Sequence, residues 1–162
     1  MKRLTLLRHA KSSWSQPGLS DHDRPLNQRG LRDAPIMGRR LTTHGVRPSL
    51  ILTSSARRAR ETVRLVAREI GYPIEFLQTE KSLYLADPET ILEVIEVQDD
   101  TFSDILVCIH NPGITELANR LSGQRIDNVP TSGMVIIEID TDCWSTIASS
   151  GCRFIGFDYP KK

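Results

Sequence analysis

Short apolar runs alternate with amphipathic stretches along the 162 residues of the chain. Apolar positions at a spacing of three and four predict four helices: one that Asp33 caps and that reaches about His44, one over 56–70, one from Asp87 to about residue 97, and one that follows the sequence HNPG. The apolar runs themselves predict strands at 3–7, 50–53, 74–77, 105–109, 134–139 and 153–157.

This alternation of strands and helices predicts the fold class. Repeated strand–helix units are typical of a mostly parallel sheet with helices on both faces, so we expect an α/β protein with a three-layer α/β/α sandwich. No internal repeat, low-complexity tract or Gly/Ser linker divides the chain. We therefore expect residues 1–162 to form one domain, since this length suits a single hydrophobic core.

Composition narrows the class of protein. Hydrophobic residues make up 39% of the chain and charged residues 25%, which is typical of a globular protein. The net charge of +1 does not favour nucleic acid or a membrane surface as a partner. Arginine outnumbers lysine, and its planar fork of donors binds phosphates and carboxylates. This bias faintly favours an anionic ligand, although genomic base composition explains it more simply.

Cysteine and histidine spacing bears on compartment and metal binding. The three cysteines, Cys108, Cys143 and Cys152, form no CxxC pair, so we expect free thiols in a reducing cytoplasm. No segment approaches the ~20 apolar residues of a membrane helix. No two histidines stand three or four residues apart, so we expect no metal. We also expect no cofactor, and a monomer.

Arginine and histidine residues follow three of the predicted strands. Arg8 and His9 follow the first strand, Arg58 begins a helix after the second, and His110 and Asn111 follow the strand at 105–109. In open α/β sheets ligands bind beyond the carboxyl ends of the strands, so these residues are expected to meet. Guanidinium groups and helix N-termini bind phosphate, and an imidazole among them can attack phosphorus. The pattern favours metal-independent phosphoryl transfer through a histidine.

Ordinary explanations exist for each of these residues alone. An Arg–His pair after a strand is usually loop polarity, and a single histidine such as His110 usually makes a structural hydrogen bond. Four arginines at helical spacing predict one solvated helix face: Arg57, Arg60, Arg64 and Arg68. Arg58 is out of phase with that face by about 100°, which favours it over Arg57 for the pocket. The coincidence of all three features favours a site.

Four stretches of the chain together resemble the histidine phosphatase superfamily, whose fold is shared with phosphoglycerate mutase: LLRHAKSSW, RPLNQRG, TSSARRARET and IHNPG. The resemblance extends from Leu4 to about Gly133. The family signature is Arg-His-Gly, then Ser-x-x-x-Arg-Ala-x-x-Thr, then a distal histidine. Ser54, Arg58, Ala59 and Thr62 match the second motif, and His110 matches the distal histidine. The resemblance implies His9 as the nucleophile, with Arg8, Arg58 and His110 around the phosphoryl group.

The chain departs from its relatives at informative positions. Ala10 replaces the usual glycine, and Ser15 stands where many mutases have an asparagine that binds phosphate. Larger relatives insert a lid with a glutamate that protonates the leaving group. Here Glu80 is the residue at a comparable place, and it is equally consistent with a solvated carboxylate. Arg24 is expected either to reach a substrate phosphate or to pair with Asp21 or Asp23. We favour the ion pair.

The short, lidless chain resembles the SixA-type phosphohistidine phosphatases. That resemblance implies protein phosphohistidine as the substrate, with small phosphate esters as the second choice. Imidazole has a conjugate-acid pKa near 6.5, so it leaves readily with a weak general acid or none. Ser15, Arg24 and Asn111 are candidate substrate contacts, His22 is either a mouth residue or merely exposed, and Trp14 and Trp144 are expected to be packing residues.

Two other functions compete with this interpretation. A phosphate-binding regulatory module would keep the pocket without catalysis, and Ala10, Ser15 and the lack of an obvious acid motivate it. RNA binding through the exposed arginine face of the helix at 56–70 is disfavoured, because no aromatic residues for base stacking lie nearby in the sequence.

Overall fold

A six-stranded sheet forms the centre of the computed structural model, which describes all residues from 1 to 162. The strand order is β3-β2-β4-β1-β5-β6. The first four strands in this order are parallel, and β5 runs antiparallel to β1 and β6 to β5. The mostly parallel α/β architecture is therefore confirmed. The strands are β1 (Lys2–Arg8), β2 (Leu50–Ser54), β3 (Gln78–Glu80), β4 (Asp104–Ile109), β5 (Met134–Ile139) and β6 (Cys152–Asp158).

Two pairs of helices cover the two faces of this sheet. The alternation of side chains along β4 separates two cores: Ile105 and Val107 belong to the larger one, while Leu106 and Cys108 face the smaller one. Helices α1 and α2 pack on the smaller core, and α3 and α4 pack on the larger one. The helices are α1 (Gln28–Thr43), α2 (Arg57–Ile70), α3 (Pro88–Glu96) and α4 (Gly113–Ser122).

The start of α1 differs from the prediction. Asp33 was expected to cap the helix, but α1 begins at Gln28, and the Asn27 side-chain oxygen accepts from the Gly30 N–H at 2.9 Å. Asp33 lies within the helix and pairs with Arg29. Asparagine at this position satisfies one of the free N–H groups of the first turn, and the helix begins six residues earlier than the one Asp33 would cap. The cap predicted for α3 is confirmed, since Asp87 accepts from the Thr90 N–H.

The predicted strand at 74–77 is also wrong. Ile74–Phe76 is a 3₁₀ turn, and the strand β3 begins after it at Gln78. The apolar run led to the wrong element because Leu77 packs on the smaller core from the extended residue between the 3₁₀ turn and β3. The three residues of β3 itself are exposed or half-buried at the sheet edge, so no apolar pattern marks them.

The central strands bring the predicted site residues to one edge of the sheet. β1 lies between β4 and β5, and Arg8 stands opposite Ile109 in the parallel register. Because parallel strands end on the same side, the residues that follow β1, β2 and β4 emerge together. No helix of the structure is long and apolar enough to cross a membrane. The three cysteines form no disulfide.

Candidate active site

Two imidazole rings lie side by side beyond the carboxyl ends of the sheet. His9 follows β1 and His110 follows β4, and the N–H of His9 donates to the carbonyl of Ile109 at 3.2 Å. The ring centroids are 5.0 Å apart. His9 is only 6% exposed and His110 only 2%. The register of two adjacent strands therefore places both histidines at the base of one pocket.

The orientation of His9 leaves one nitrogen available for chemistry. Its Nδ1 lies 2.8 Å from the carbonyl oxygen of Ala10, which can only accept, so Nδ1 carries the proton in this pairing. Nε2 then holds the lone pair and faces Arg58 Nε at 3.4 Å. The Ala10 N–H donates to Thr62 Oγ1 at 2.9 Å, and that hydroxyl donates to the Arg58 carbonyl. Thr62 thereby joins the end of β1 to α2.

Arg58 points into the pocket and is held in place by Asp21. Its Nη1 donates to the Asp21 carbonyl oxygen at 2.8 Å, and its Nη2 donates to Asp21 Oδ2 at 3.1 Å. The same Nη2 lies 3.4 Å from Nδ1 of His110. Arg58 is 3% exposed, whereas Arg57 is exposed and pairs with Glu61 along α2. The helical phase that favoured Arg58 over Arg57 agrees with this placement.

His110 is oriented by a serine from the neighbouring strand. Its Nε2 lies 2.7 Å from Oγ of Ser54, the last residue of β2. With Arg58 donating towards Nδ1, the proton of the neutral ring sits on Nε2 and is donated to Ser54. The ring of Tyr84 packs edge-on against His110 with the centroids 5.6 Å apart. Nδ1 is therefore the nitrogen of His110 that faces the pocket.

Arg8 completes the positive charge of the pocket. Its Nη1 donates to the Val129 carbonyl at 3.0 Å, while its Nε is buried without a hydrogen-bond partner. The hydroxyl of Ser132 is also buried and unpartnered, and the backbone N–H of Ser132 donates to the His9 carbonyl. Burial, followed by the charge of Arg58, lowers the pKa of Arg8 from its usual range. An oxyanion between Arg8 and Arg58 would give the Arg8 Nε an acceptor and would offset the repulsion between the two cations.

Both pocket histidines are neutral near physiological pH. Burial, together with the charges of His110, Arg58 and Arg8, lowers the pKa of His9 to about 3 against the hydrogen bond to Ala10. Burial and the charge of Arg58 also lower the pKa of His110 to about 3, although Asp21 opposes the shift. His9 Nε2 is therefore an unprotonated nitrogen that is chemically able to act as a nucleophile, and it lies beside cationic donors that suit phosphoryl oxygens.

Asp21 is the site residue that the sequence patterns did not single out. Its Oδ1 accepts from Nε and Nη2 of Arg24, and its Oδ2 accepts from Arg58 and from the Tyr84 hydroxyl. Partial burial alone would raise the pKa of Asp21, but the hydrogen bonds from Tyr84 and Arg24 and the charge of Arg58 lower it to about 2. The sequence had offered Asp21 only as a partner for Arg24, because its contacts with α2 and Tyr84 depend on the path of the loop.

The other predicted site residues lie at varying distances from this pocket. Arg24 is buried and pairs with Asp21, as favoured from the sequence. Glu80 ends β3 in register with Ser54, but its carboxylate makes no hydrogen bond or ion pair with a pocket residue. Ser15 bonds to Ser13 on the exposed loop. Asn111 bonds to Asn128, Val129 and Thr115, which turns its amide towards the loop after α4.

Histidine and tryptophan residues outside the pocket differ in how well they were predicted. His22 bonds to Ser55 Oγ at 2.9 Å and packs edge-on against Tyr84, so it lines the mouth. The expectation that both tryptophans pack in the interior is wrong for Trp14, which is 74% exposed, and holds for Trp144, which is fully buried. The loop that carries Trp14 has no core position to offer, and the indole lies on the guanidinium of Arg24 instead.

The chain matches known proteins over most of its length. The family model of the histidine phosphatase superfamily (branch 1) matches residues 4–81. An uncharacterised protein of Mycobacterium leprae is 32% identical, over 96% of this chain and 100% of that protein. A crystal structure of a candidate phosphohistidine phosphatase SixA from Agrobacterium tumefaciens superposes with a TM-score of 0.83 and 29% identity, over 98% of both chains.

A further solved structure shows the same fold at lower identity. The protein histidine phosphatase SixA complexed with tungstate has a TM-score of 0.83 at 20% identity, over 98% of this chain and 97% of that chain. The chain belongs to the histidine phosphatase superfamily and is of the SixA type. This membership supports phosphatase activity.

Proposed function

We propose that the protein is a phosphatase that works through a phosphohistidine on His9, and that its substrate is phosphohistidine on a protein. The observation that carries the chemistry is the lone pair of His9 Nε2, which is unprotonated and faces Arg58 at 3.4 Å. The buried, unpartnered Nε of Arg8 supplies a second donor at the same end of the sheet.

The reaction takes place in two displacements. Nε2 of His9 attacks phosphorus, forming the N–P bond as the bond to the leaving group breaks, and the leaving group takes a proton from solvent. Arg8 and Arg58 donate to the non-bridging oxygens, where negative charge is spread in the transition state, while His110 lines the pocket beside Arg58. Water then attacks phosphorus, the N–P bond breaks, and its electron pair returns to Nε2 as inorganic phosphate leaves.

The absence of a placed acid favours phosphohistidine as the substrate. Asp21 is ionised, with a pKa of about 2, and cannot protonate a leaving group at neutral pH. Glu80, the acid proposed from the sequence, makes no hydrogen bond to the pocket residues. Imidazole needs little help to leave, unlike an alkoxide. The names of the SixA structures agree with this substrate class.

Small phosphate esters are the second candidate substrates. Proteins named 2,3-bisphosphoglycerate-dependent phosphoglycerate mutase match about half of this chain, such as one from a Bradyrhizobium strain at 36% identity over 51% of it.

We propose that the protein acts as a monomer in a reducing compartment, in keeping with its unpaired thiols.

The test compares hydrolysis of a phosphohistidine protein, a phosphoserine peptide and a sugar phosphate. Wild type should favour the first and form an acid-labile, base-stable phosphoenzyme, and His9→Ala should form none. Arg58→Ala should lose most of the activity, while Arg57→Ala, in the adjacent exposed position, should keep it. Wild-type turnover by His9→Ala would contradict the mechanism. Phosphate binding without turnover of any substrate would identify a regulatory module instead.

A further inference from the structure

The exposed indole of Trp14 is linked to the pocket through Arg24 and Asp21. Trp14 is 74% exposed, and the guanidinium carbon of Arg24 lies 3.6 Å from its ring centroid. Arg24 is itself buried and held by Ser12 Oγ at 2.7 Å and by the carboxylate of Asp21. A large apolar ring that is stacked on an anchored cation loses little freedom when it contacts a partner.

A second exposed apolar side chain lies on the opposite side of Asp21. Tyr84 donates its hydroxyl to Asp21 Oδ2, and Leu85, the next residue, is 57% exposed. Leu85 adopts a φ of 51°, a left-handed conformation that is unfavourable for leucine. The next residue, Ala86, packs closely against the start of α4. A β-carbon on Gly113, the first residue of that helix, would overlap the carbonyl oxygen of Ala86.

The carboxylate of Asp21 therefore connects the segments that carry Trp14 and Leu85 to Arg58 in the pocket. Oδ1 of Asp21 binds Arg24, which carries Trp14, and Oδ2 binds Tyr84 and Arg58. We call the exposed side chains of Trp14 and Leu85 the apolar rim. The rim is fixed relative to Arg58 through this network, so its position relative to the reacting phosphorus is set before any substrate binds.

We propose that the apolar rim docks the surface of the phosphorylated protein around its phosphohistidine. This inference rests on the proposed function and adds the recognition surface for its substrate. An exposed apolar patch rimmed by polar residues is typical of a protein contact site, and tryptophan and arginine are prominent among the residues that dominate binding energy. A small polar phosphate ester offers nothing that covers two apolar side chains linked to the two oxygens of Asp21.

The experiment measures kcat/KM on two substrates with each variant. The protein substrate is a histidine phosphotransfer domain phosphorylated on its histidine, and the small substrate is phosphoramidate, which has no apolar part. Trp14→Ala and Leu85→Ser should each lower kcat/KM for the protein by about tenfold, mainly through KM. Both should leave phosphoramidate hydrolysis unchanged. Trp14→Phe, which keeps an aromatic ring, should recover part of the loss.

Phe76 provides a matched control. It is 62% exposed and precedes β3, at the opposite end of the sheet from the pocket, so Phe76→Ala should change neither substrate. An equal fall on both substrates with Trp14→Ala would show that Trp14 acts through Arg24 on the chemistry, and it would overturn the docking role. If neither Trp14→Ala nor Leu85→Ser lowers kcat/KM for the protein substrate, the docking role is also overturned.

Failure of the proposed function gives a different result. If wild type hydrolyses phosphoramidate in a His9-dependent way but leaves the phosphoprotein intact, the docking surface and the protein substrate are both wrong, while the phosphatase chemistry stands. If no His9-dependent turnover of either substrate occurs, the proposed function fails, and the inference fails with it.

Discussion

Asp21 accepts two hydrogen bonds from the guanidinium of Arg58, one through its side-chain carboxylate and one through its backbone carbonyl. Nη2 donates to Asp21 Oδ2 at 3.1 Å, and Nη1 donates to the Asp21 carbonyl at 2.8 Å. This arrangement leaves Nε of Arg58 directed at Nε2 of His9. A loop residue thereby sets the direction of the principal cation in the pocket.

Substitution of Asp21 tests this positioning. In Asp21→Asn the arginine loses its charged partner and becomes less fixed, so kcat should fall about tenfold, in line with the loss of a charge-assisted hydrogen bond. Phosphate affinity should fall less than kcat, because a negative charge leaves the neighbourhood of the anion. Steady-state kinetics and phosphate inhibition measure the two effects separately.

Asp23 serves as the control for that substitution. Its carboxylate lies in the same turn and pairs only with His22 at 3.4 Å, so Asp23→Asn should keep nearly full activity. Equal losses in the two variants would show that the loop as a whole matters and that Asp21 has no specific role.

Adjacent serines test the orientation of His110. Ser54 Oγ lies 2.7 Å from Nε2 of His110, while Ser55 Oγ lies 2.9 Å from Nε2 of His22. Ser54→Ala leaves the ring without its acceptor, and kcat should fall about fivefold to tenfold from the loss of one neutral hydrogen bond. Ser55→Ala should change kcat much less. The assignment of Ser54 is wrong if both variants retain wild-type kcat.

Thr62 links stability to the geometry of His9. Its hydroxyl is the acceptor for the buried N–H of Ala10, and Thr62→Val keeps the shape while removing that acceptor. An unsatisfied buried N–H costs about 1–3 kcal/mol, so the free energy of unfolding in urea should fall by that amount. Thr62→Ser keeps the hydroxyl and should recover most of it. A valine variant as stable as wild type would contradict the role of this contact.

The lowered histidine pKa values predict a stability that depends on pH. His9 and His110 have pKa values of about 3 in the folded protein, against about 6.5 in an unfolded chain. Between these values the unfolded state binds more protons, so stability is complete above about pH 6.5 and falls as the pH is lowered. From pH 7 to pH 5 each histidine should remove about 2 kcal/mol from the free energy of unfolding.

Urea unfolding at pH 7 and pH 5 measures this dependence. His9→Gln should lose about 2 kcal/mol less than wild type over that interval, since glutamine does not titrate. Asp21, with a pKa of about 2, stays ionised over the whole interval and adds nothing to the difference. A variant with the same pH dependence as wild type would show that His9 is not held neutral by the fold.

Local sequence patterns were sufficient for most of the elements and for the residues at strand ends. The apolar runs of β1 and β4 identified buried strands, and the rule that ligands bind beyond their carboxyl ends selected His9 and His110. Helical phase alone separated Arg58 from Arg57. These successes share a cause, because a strand end and a helix phase are both determined within a few residues of the side chain concerned.

Errors arose where an apolar residue belonged to an irregular segment. Leu77 packs on the core from the extended residue between the 3₁₀ turn and β3, and Trp14 packs on Arg24 at the surface, so hydrophobicity misled in both places. The α1 boundary was misplaced because two residues could cap it, Asn27 and Asp33, and the loop before the helix decides between them.

The sequence by itself determined the fold class, the strand-end histidines and the choice of Arg58, because these depend on periodicity and on short motifs. Only the tertiary structure decided which partners those residues have. Asp21 reaches Arg58 across 37 positions and Tyr84 across 63, and Ser54 reaches His110 across 56. Such contacts depend on how strands are ordered and how a loop crosses the sheet edge, and no local pattern of residues encodes that path.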